Sequence, residues 1–383
     1  MTFTYTIESS IDAFSQDLWD QFAESEAPFL QYPFLRALEH SASVGGDSGW
    51  EPRFLRVSDC HSNTIAVLPM YLKRHSYGEY VFDHSWANAY HQHGIEYYPK
   101  LLIAVPFTPV TATKLMVHSS ANYQDVLTFV LSALEDWSTQ QALSSIHWLF
   151  CSVQEREIQT NTAFCERHSV QFIWRNRDYR AFDEYLARFT SRKRKDIRKE
   201  RKKVSDAGIR IETKSGLTIS ASDMDFFYQC YCQTYLKRSG HTGYLTRSFF
   251  EQIYATFADQ ILLVIAYREN QPIAAAMYLF NATGLYGRYW GAMEEVDGLH
   301  FECCYYSGIE FAIQHRLPLF NPGTQGEHKI LRGFEPELCF SAHHCLDQRF
   351  HTAVEDFVLQ EQRAIAHYYE QTRAVVPFKQ NPE

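Results

Sequence analysis

From residue 209 onward the apolar positions change period in an ordered way. Ile209-Arg210-Ile211-Glu212-Thr213 alternates, which predicts a strand with one buried face. Met224, Phe227, Tyr228, Tyr231 and Tyr235 then recur at helical spacing, with Ser222 and Asp225 placed as a capping pair. Arg247 to Phe257 predicts a second helix. Three apolar runs follow, Ile261 to Tyr267, Ile273 to Phe280 and Leu285 to Trp290. The polar turns Glu269-Asn270-Gln271-Pro272 and Asn281-Ala282-Thr283-Gly284 separate them, so they predict an antiparallel meander. A helix over about His300 to His315 and a short strand over Leu317 to Asn321 close the series.

The first half follows the same order more loosely. Strands are predicted over Tyr5 to Glu8, Arg53 to Val57, Thr64 to Leu72 and Gly78 to Phe82, with helices near Asp12 to Glu24 and Phe34 to His40. Leu101 to Val105 reads as a further strand and Gln124 to Trp137 as a helix, with strands at His147 to Phe150 and Gln171 to Trp174. Three landmarks recur between the halves. Ile65 to Leu72 matches Ile273 to Leu279, Tyr77-Gly78-Glu79-Tyr80 matches Tyr286-Gly287-Arg288-Tyr289, and Tyr97-Tyr98 matches Tyr305-Tyr306, at offsets of 208, 209 and 208 residues. One unit used twice is the expectation, 1–180 and 181–383. The length of 383 residues agrees with two domains.

Charge changes this picture at one place. The chain carries −9 overall, which argues against a uniformly basic coat for nucleic acid. Between Arg188 and Lys203, however, ten Lys or Arg residues face only Asp196 and Glu200, a net +8 that leaves −17 elsewhere. A basic helix over about 188–204 is therefore expected to open the second unit. Phe189, Ile197 and Val204 form a narrow apolar stripe along it. The plain reading is a solvated helix; the sharper one is a docking strip for an anionic donor or acceptor.

Several classes are excluded. The most apolar stretch, Leu101 to Val110, is short and holds two prolines, so no membrane span is expected. The N-terminus lacks a basic and an apolar region, and a cytoplasmic location is expected. Nine cysteines without a C-x-x-C pair read as reduced thiols rather than a zinc site. Gly46-Asp47-Ser48-Gly49 echoes a protease nucleophile loop without that fold's strands, and His300-Phe301-Glu302 lacks the P-C-x-x-C partner of a deaminase zinc site.

Strand, two helices, meander, helix, strand resembles the order of the GNAT acyltransferase fold. The fold class expected is α/β (α+β): two tandem GNAT-like units, each a mixed, mostly antiparallel sheet flanked by helices. The whole chain is similar to the FemAB-like family of bacterial N-acyltransferases, related to the Fem-type peptidoglycan-bridge aminoacyltransferases. The residues that carry this in the first half are Gly45-Gly46-x-x-Gly49-Trp50, Ser76 to Asp83, Tyr97 to Leu101 and Val105 to Val110. In the second half they are Ser191 to Lys195, Tyr286 to Gly291, His300-Phe301-Glu302, and Gly323-x-Gln325-Gly326-Glu327-His328-Lys329 with Arg332-Gly333-Phe334.

The resemblance implies acyl or aminoacyl transfer to an amine, in a cleft between strands four and five of the second unit. Such transfer needs a base, donors for the oxyanion and an acid for the leaving group. Glu327, His328, Lys329, His300 and Glu302 are the candidate catalytic residues. Tyr289, Gly323, Gln325, Gly326 and Arg332 are candidate substrate contacts in the same cleft. Glu79, Asp83 and Lys100 of the first unit, and Arg192 and Lys193 of the basic helix, are further candidate contacts. Structural ion pairing is the plain alternative for Glu79 and Asp83. The expected co-substrate is acyl-CoA or another activated acyl donor, with no tightly bound cofactor and no metal. The usual pyrophosphate loop is missing, since Gly291-Ala292-Met293-Glu294-Glu295 is acidic, so a carrier-bound or tRNA-bound donor stays open. The competing reading is a non-catalytic module or scaffold whose basic helix holds RNA or another anionic polymer.

Overall fold

A computed structural model describes residues 3–160, 164–323 and 326–379. In chain order the strands are β1 (Thr4–Glu8), β2 (Trp50–Ser58), β3 (Thr64–Lys73), β4 (Lys100–Ile103), β5 (Met116–Val117), β6 (Ser145–Trp148) and β7 (Cys165–Arg175). They continue as β8 (Ile209–Ser215), β9 (Ile261–Arg268), β10 (Gln271–Asn281), β11 (Gly284–Ala292), β12 (Leu319–Asn321) and β13 (Glu335–Cys345). The architecture is the mixed α/β one expected.

The chain divides into two compact units, one running to Val170 and including Leu338–Tyr368, the other Gln171–Glu337 with the residues from Tyr369 onward. The expected boundary at 180 therefore falls inside the second unit, and residues 338–368 pack with the first.

In the first unit β1, β2, β3 and β4 pair antiparallel, β4 and β6 pair parallel with Leu101 opposite Ile146, and β6 and β13 pair antiparallel. β3 is buried from Ile65 to Lys73, on both faces, as a central strand requires. The helix Tyr123–Gln140 is capped by Asn122 and buries Val126, Leu127, Val130 and Leu134 in a core with Leu55, Leu68 and Trp148.

The second unit repeats this plan. β8, β9, β10 and β11 pair antiparallel, β11 and β12 pair parallel with Leu285 opposite Phe320, and the end of β7 pairs antiparallel with β12. The helix Ala221–Ser239 lies so close to β11 that a Cβ on Gly291 would stand 1.9 Å from the Cys230 carbonyl oxygen. Its cap is Ser220 with Asp223, whose carboxylate accepts from the Ser220 amide at 2.8 Å, and not Ser222 with Asp225.

Two expectations from the repeat need correction. Gly78 to Phe82 is a loop, because Gly78 and Tyr80 take positive φ values of 81° and 63° that no strand accommodates. It leads into a helix, His84–Gln92. The strand that occupies the place of β11 in the first unit is β4, twenty-odd residues further on. Strand order is thus duplicated, with β3 corresponding to β10. The tyrosine landmarks set a loop against a strand at Tyr77 and Tyr286, and a loop against a helical turn at Tyr97 and Tyr305.

Candidate active site

The parallel ladder between β11 and β12 ends at Tyr286 and Asn321. Beyond it, β11 bulges: Gly287 pairs with Tyr278 and Tyr289 with Met277, which leaves Arg288 without an opposite residue. The Arg288 guanidinium turns toward β12, where Nη1 donates to the Asn321 carbonyl at 3.0 Å and its Oδ1 at 3.1 Å. Gly323 follows β12, and a short 3-10 helix, Glu327–Arg332, lies beyond it in sequence. Gln325 lies outside the described residues.

His328 and His300 meet over this turn, with ring centroids 6.0 Å apart. Their companion is Tyr305, whose hydroxyl lies 2.8 Å from His328 Nε2 and whose ring is buried. Tyr305 was not singled out as a site residue in the sequence. One turn of π-helix, Glu302–Tyr306, interrupts the helix that begins at Leu299. Such a turn shifts the side chains that follow it relative to an α-helix, and nothing in the local residue pattern announces it.

Electrostatics favour neutral bases here. Burial, then the charges of neighbouring His328 and Arg238, lowers His300 to about 4. Burial with Arg332 and Lys329 nearby also lowers His328. Lys329 is 2% exposed, and burial with the Arg288 charge brings its amine down to about 7, while Nζ donates to the Gly323 carbonyl at 2.5 Å. Gly326 has φ +105°, and a Cβ there would run into the His328 ring at 2.2 Å, so only glycine leaves the ring in place.

Three candidates hold the frame. Both oxygens of Glu302 are taken by Arg201, at 2.7 and 2.9 Å, and Arg201 also holds Glu310. Glu302 therefore does not join the histidines. Arg332 donates to both oxygens of Glu200 and to the His328 carbonyl, and its guanidinium lies over Phe301, so it positions the turn. Tyr289 packs with Phe227, Tyr231 and Phe250. Glu327 is exposed at the start of the 3-10 helix.

A family model for FemAB-like proteins, described as peptidoglycan biosynthesis/recognition, matches residues 10–380. The chain belongs to the FemAB-like family. Its fold resembles the crystal structure of FemX, with a TM-score of 0.55 at 13% identity over 89% of this chain and 98% of that one. The C-terminal domain of a putative lysylphosphatidylglycerol synthetase from Agrobacterium fabrum gives 0.51 at 9% identity, over 90% of this chain and 95% of that one. L-PGS from Bacillus licheniformis gives 0.50 at 8%, over 85% and 96%. No curated protein sequence matches the chain. The family assignment supports an acyl- or aminoacyltransferase role. No helix among the described residues is long and apolar enough to cross a membrane.

The candidates in the first unit of this FemAB-like chain form a buried ionic cluster. Lys100, fully buried, donates to Glu79 at 2.7 Å, to Ser76 at 3.0 Å and to Asp83. Asp83 also accepts from the Tyr97 hydroxyl at 2.6 Å, and that hydroxyl lies 3.1 Å from His147. Burial raises Glu79 to about 7; burial works the same way on Asp83, but Lys100 holds it well below the usual carboxylate range. These residues sit at the start of β4, not where β4 and β6 leave off. Past those strands the backbone stays paired, with Leu149 N donating to Ile103 O at 2.9 Å. Lys114, 1% exposed, fills the space by donating to the Ala112 and Phe150 carbonyls.

Arg192 and Lys193 lie in the first turn of the basic helix, Ser191–Asp206. Ile197 and Val204 of its apolar stripe are buried, so the helix is docked by that stripe and shows its charges outward.

Proposed function

We propose that this protein is an N-acyltransferase that moves an acyl or aminoacyl group from an activated donor to an amine, with its chemistry in the second unit. The hydrogen bond between Tyr305 and His328, at the open end of the β11–β12 ladder, is the observation that carries this reading. The first unit supports it by contrast, since its equivalent place is closed by Lys114 and paired backbone.

The geometry suits a relay. The amine attacks the donor carbonyl while backbone N–H groups of β11 past Tyr286, which β12 no longer reaches, hold the developing oxyanion. With His328 Nε2–H donating to the Tyr305 oxygen, Nδ1 takes the proton of the attacking amine. Nε2–H passes to Tyr305, and the phenol proton goes to the leaving group. Burial keeps the phenol protonated and His328 neutral, as each role demands. Arg288 keeps a positive charge beside β12, and its field with burial holds the Lys329 amine near neutrality. An activated donor such as acyl-CoA enters as co-substrate.

The test is turnover of a panel of acyl and aminoacyl donors with simple amines. Tyr305→Phe and His328→Ala are each expected to lower kcat by about 10²- to 10⁴-fold with KM little changed. Unchanged turnover in both variants overturns the reading.

A further inference from the structure

The basic residues around the Ser191–Asp206 helix fall into two groups. Arg198, Arg201, Lys202 and Lys203 meet Asp183, Glu302, Asp206 and Asp297 at 3.1, 2.7, 2.7 and 2.6 Å. Arg198, Arg201 and Lys203 fasten the helix to its surroundings, while Lys202 pairs within it. Arg192, Lys193, Arg194, Lys195 and Lys199 have no acidic partner among the described residues, and Arg192, Lys195 and Lys199 are exposed. From Arg192 to Lys199 they span about 11 Å of helix at the usual rise.

Two further observations place this strip in relation to the chemistry. Glu200, on the same helix, is bound by Arg332 at 2.6 Å, and Arg332 holds the His328 carbonyl at 2.6 Å. The strip is thus coupled by two contacts to the turn that carries His328 and Lys329. The segment after β11 exposes Glu294, Glu295 and Asp297, a poor seat for a pyrophosphate.

We propose that the exposed N-terminal half of the basic helix docks a small acidic carrier protein, which delivers the acyl group to the cleft as a thioester on a flexible arm. The proposal rests on the acyl-transfer reading and names its donor. The amine nitrogen bonds to the thioester carbonyl carbon, the carbon–sulfur bond breaks, and the amine proton, relayed through His328 and Tyr305, ends on the released thiol. Charge selects the partner's sign, and the short strip selects its size. An extended polyanion would overrun a row of about 11 Å onto a body that carries −17 elsewhere, whereas a folded acidic partner presents its charge locally. A bilayer is disfavoured because Ile197 and Val204, the helix's apolar residues, are already buried.

The experiment compares R194E/K195E/K199E with the unaltered chain. One measurement is fluorescence anisotropy with a labelled bacterial acyl-carrier protein, a 20-nucleotide RNA and anionic phosphatidylglycerol vesicles. The other is kcat/KM with one acyl group presented on the carrier protein and on coenzyme A. The ratio of the two kcat/KM values is insensitive to any loss of folded enzyme. Carrier binding weakened about tenfold or more, with the carrier-to-coenzyme ratio falling by a similar factor, is the expected result. An unchanged ratio with turnover intact leaves the acyl-transfer reading standing and overturns the docking proposal. Charge-sensitive carrier binding without turnover of either donor sustains the docking and sinks the chemistry. Binding of RNA or vesicles in place of the carrier overturns the proposal.

Discussion

Glu200 and Arg332 meet through two hydrogen bonds, 2.6 and 3.1 Å long, although 132 residues separate them in sequence. Arg332 is nearly buried, and with its remaining nitrogen it holds the carbonyl of His328. The pair therefore fixes where the imidazole stands.

Arg332→Met removes both contacts. Stability is expected to drop by about 1–3 kcal/mol, the usual cost of losing charge-assisted hydrogen bonds, read by urea unfolding. In acyl transfer, kcat is expected to fall by about tenfold or more with KM little changed, because the turn is misplaced rather than the donor unbound. A variant as stable and as active as the parent would show that the pair positions nothing.

Lys329 links stability to pH. Its amine titrates at about 7 in the folded chain and at its ordinary 10.5 when unfolded. Between these values the unfolded chain holds the extra proton, so this residue's contribution rises with pH from about 7 to 10.5. Below about 7 the full cost of charging a buried amine is felt. Lys329→Met is expected to raise Tm most at about pH 6, with the gain shrinking toward about pH 10. A gain independent of pH in thermal scans would refute the assignment.

Lys100→Met strands two buried carboxylates. Breaking a buried pair on one side costs about 3–5 kcal/mol, so the variant is expected to unfold at much lower urea. Glu79→Gln and Asp83→Asn added to it should restore a large part of the loss. Failure of the triple variant to recover would mean that Lys100 acts other than by charge.

Gly326→Ala tests the turn directly. Its Cβ would collide with the His328 ring at a φ that alanine tolerates poorly. Turnover is expected to fall by about tenfold or more, and Tm to drop as well because alanine is strained at this φ. Parent-like kinetics would remove His328 from the mechanism.

Much of the second unit was legible because its elements are local. The meander from Ile261 to Trp290 and the helix Arg247–Phe257 follow from period and turn residues alone. Ser220 and Ser222 both stand three residues before an aspartate, so spacing could not say which of them caps the helix. Gly78 to Phe82 reads as a strand in the sequence, but burial in this stretch follows no strand pattern. Tyr77 and Phe82 are 62% and 64% exposed, while Glu79 and Asp83 point inward to Lys100 from 21 and 17 residues away. A distant cation decides that loop, and no window along the chain contains it. The glycine-rich segment was found from its residue types, yet Tyr305 entered only as a landmark, since the π-turn that aims it leaves no periodic trace.

The return of residues 338–368 to the first unit governs how the protein can be made. The first unit's share of β13 and the start of the helix Gln348–Ala374 are translated only after residues 171–337 of the second unit. On the ribosome the N-terminal sheet therefore waits with the β6 edge uncovered until residues 342–345 emerge, while strands β8 to β12 of the second unit are already complete. Although synthesis runs from the N-terminus, the sheet of the second unit can close first.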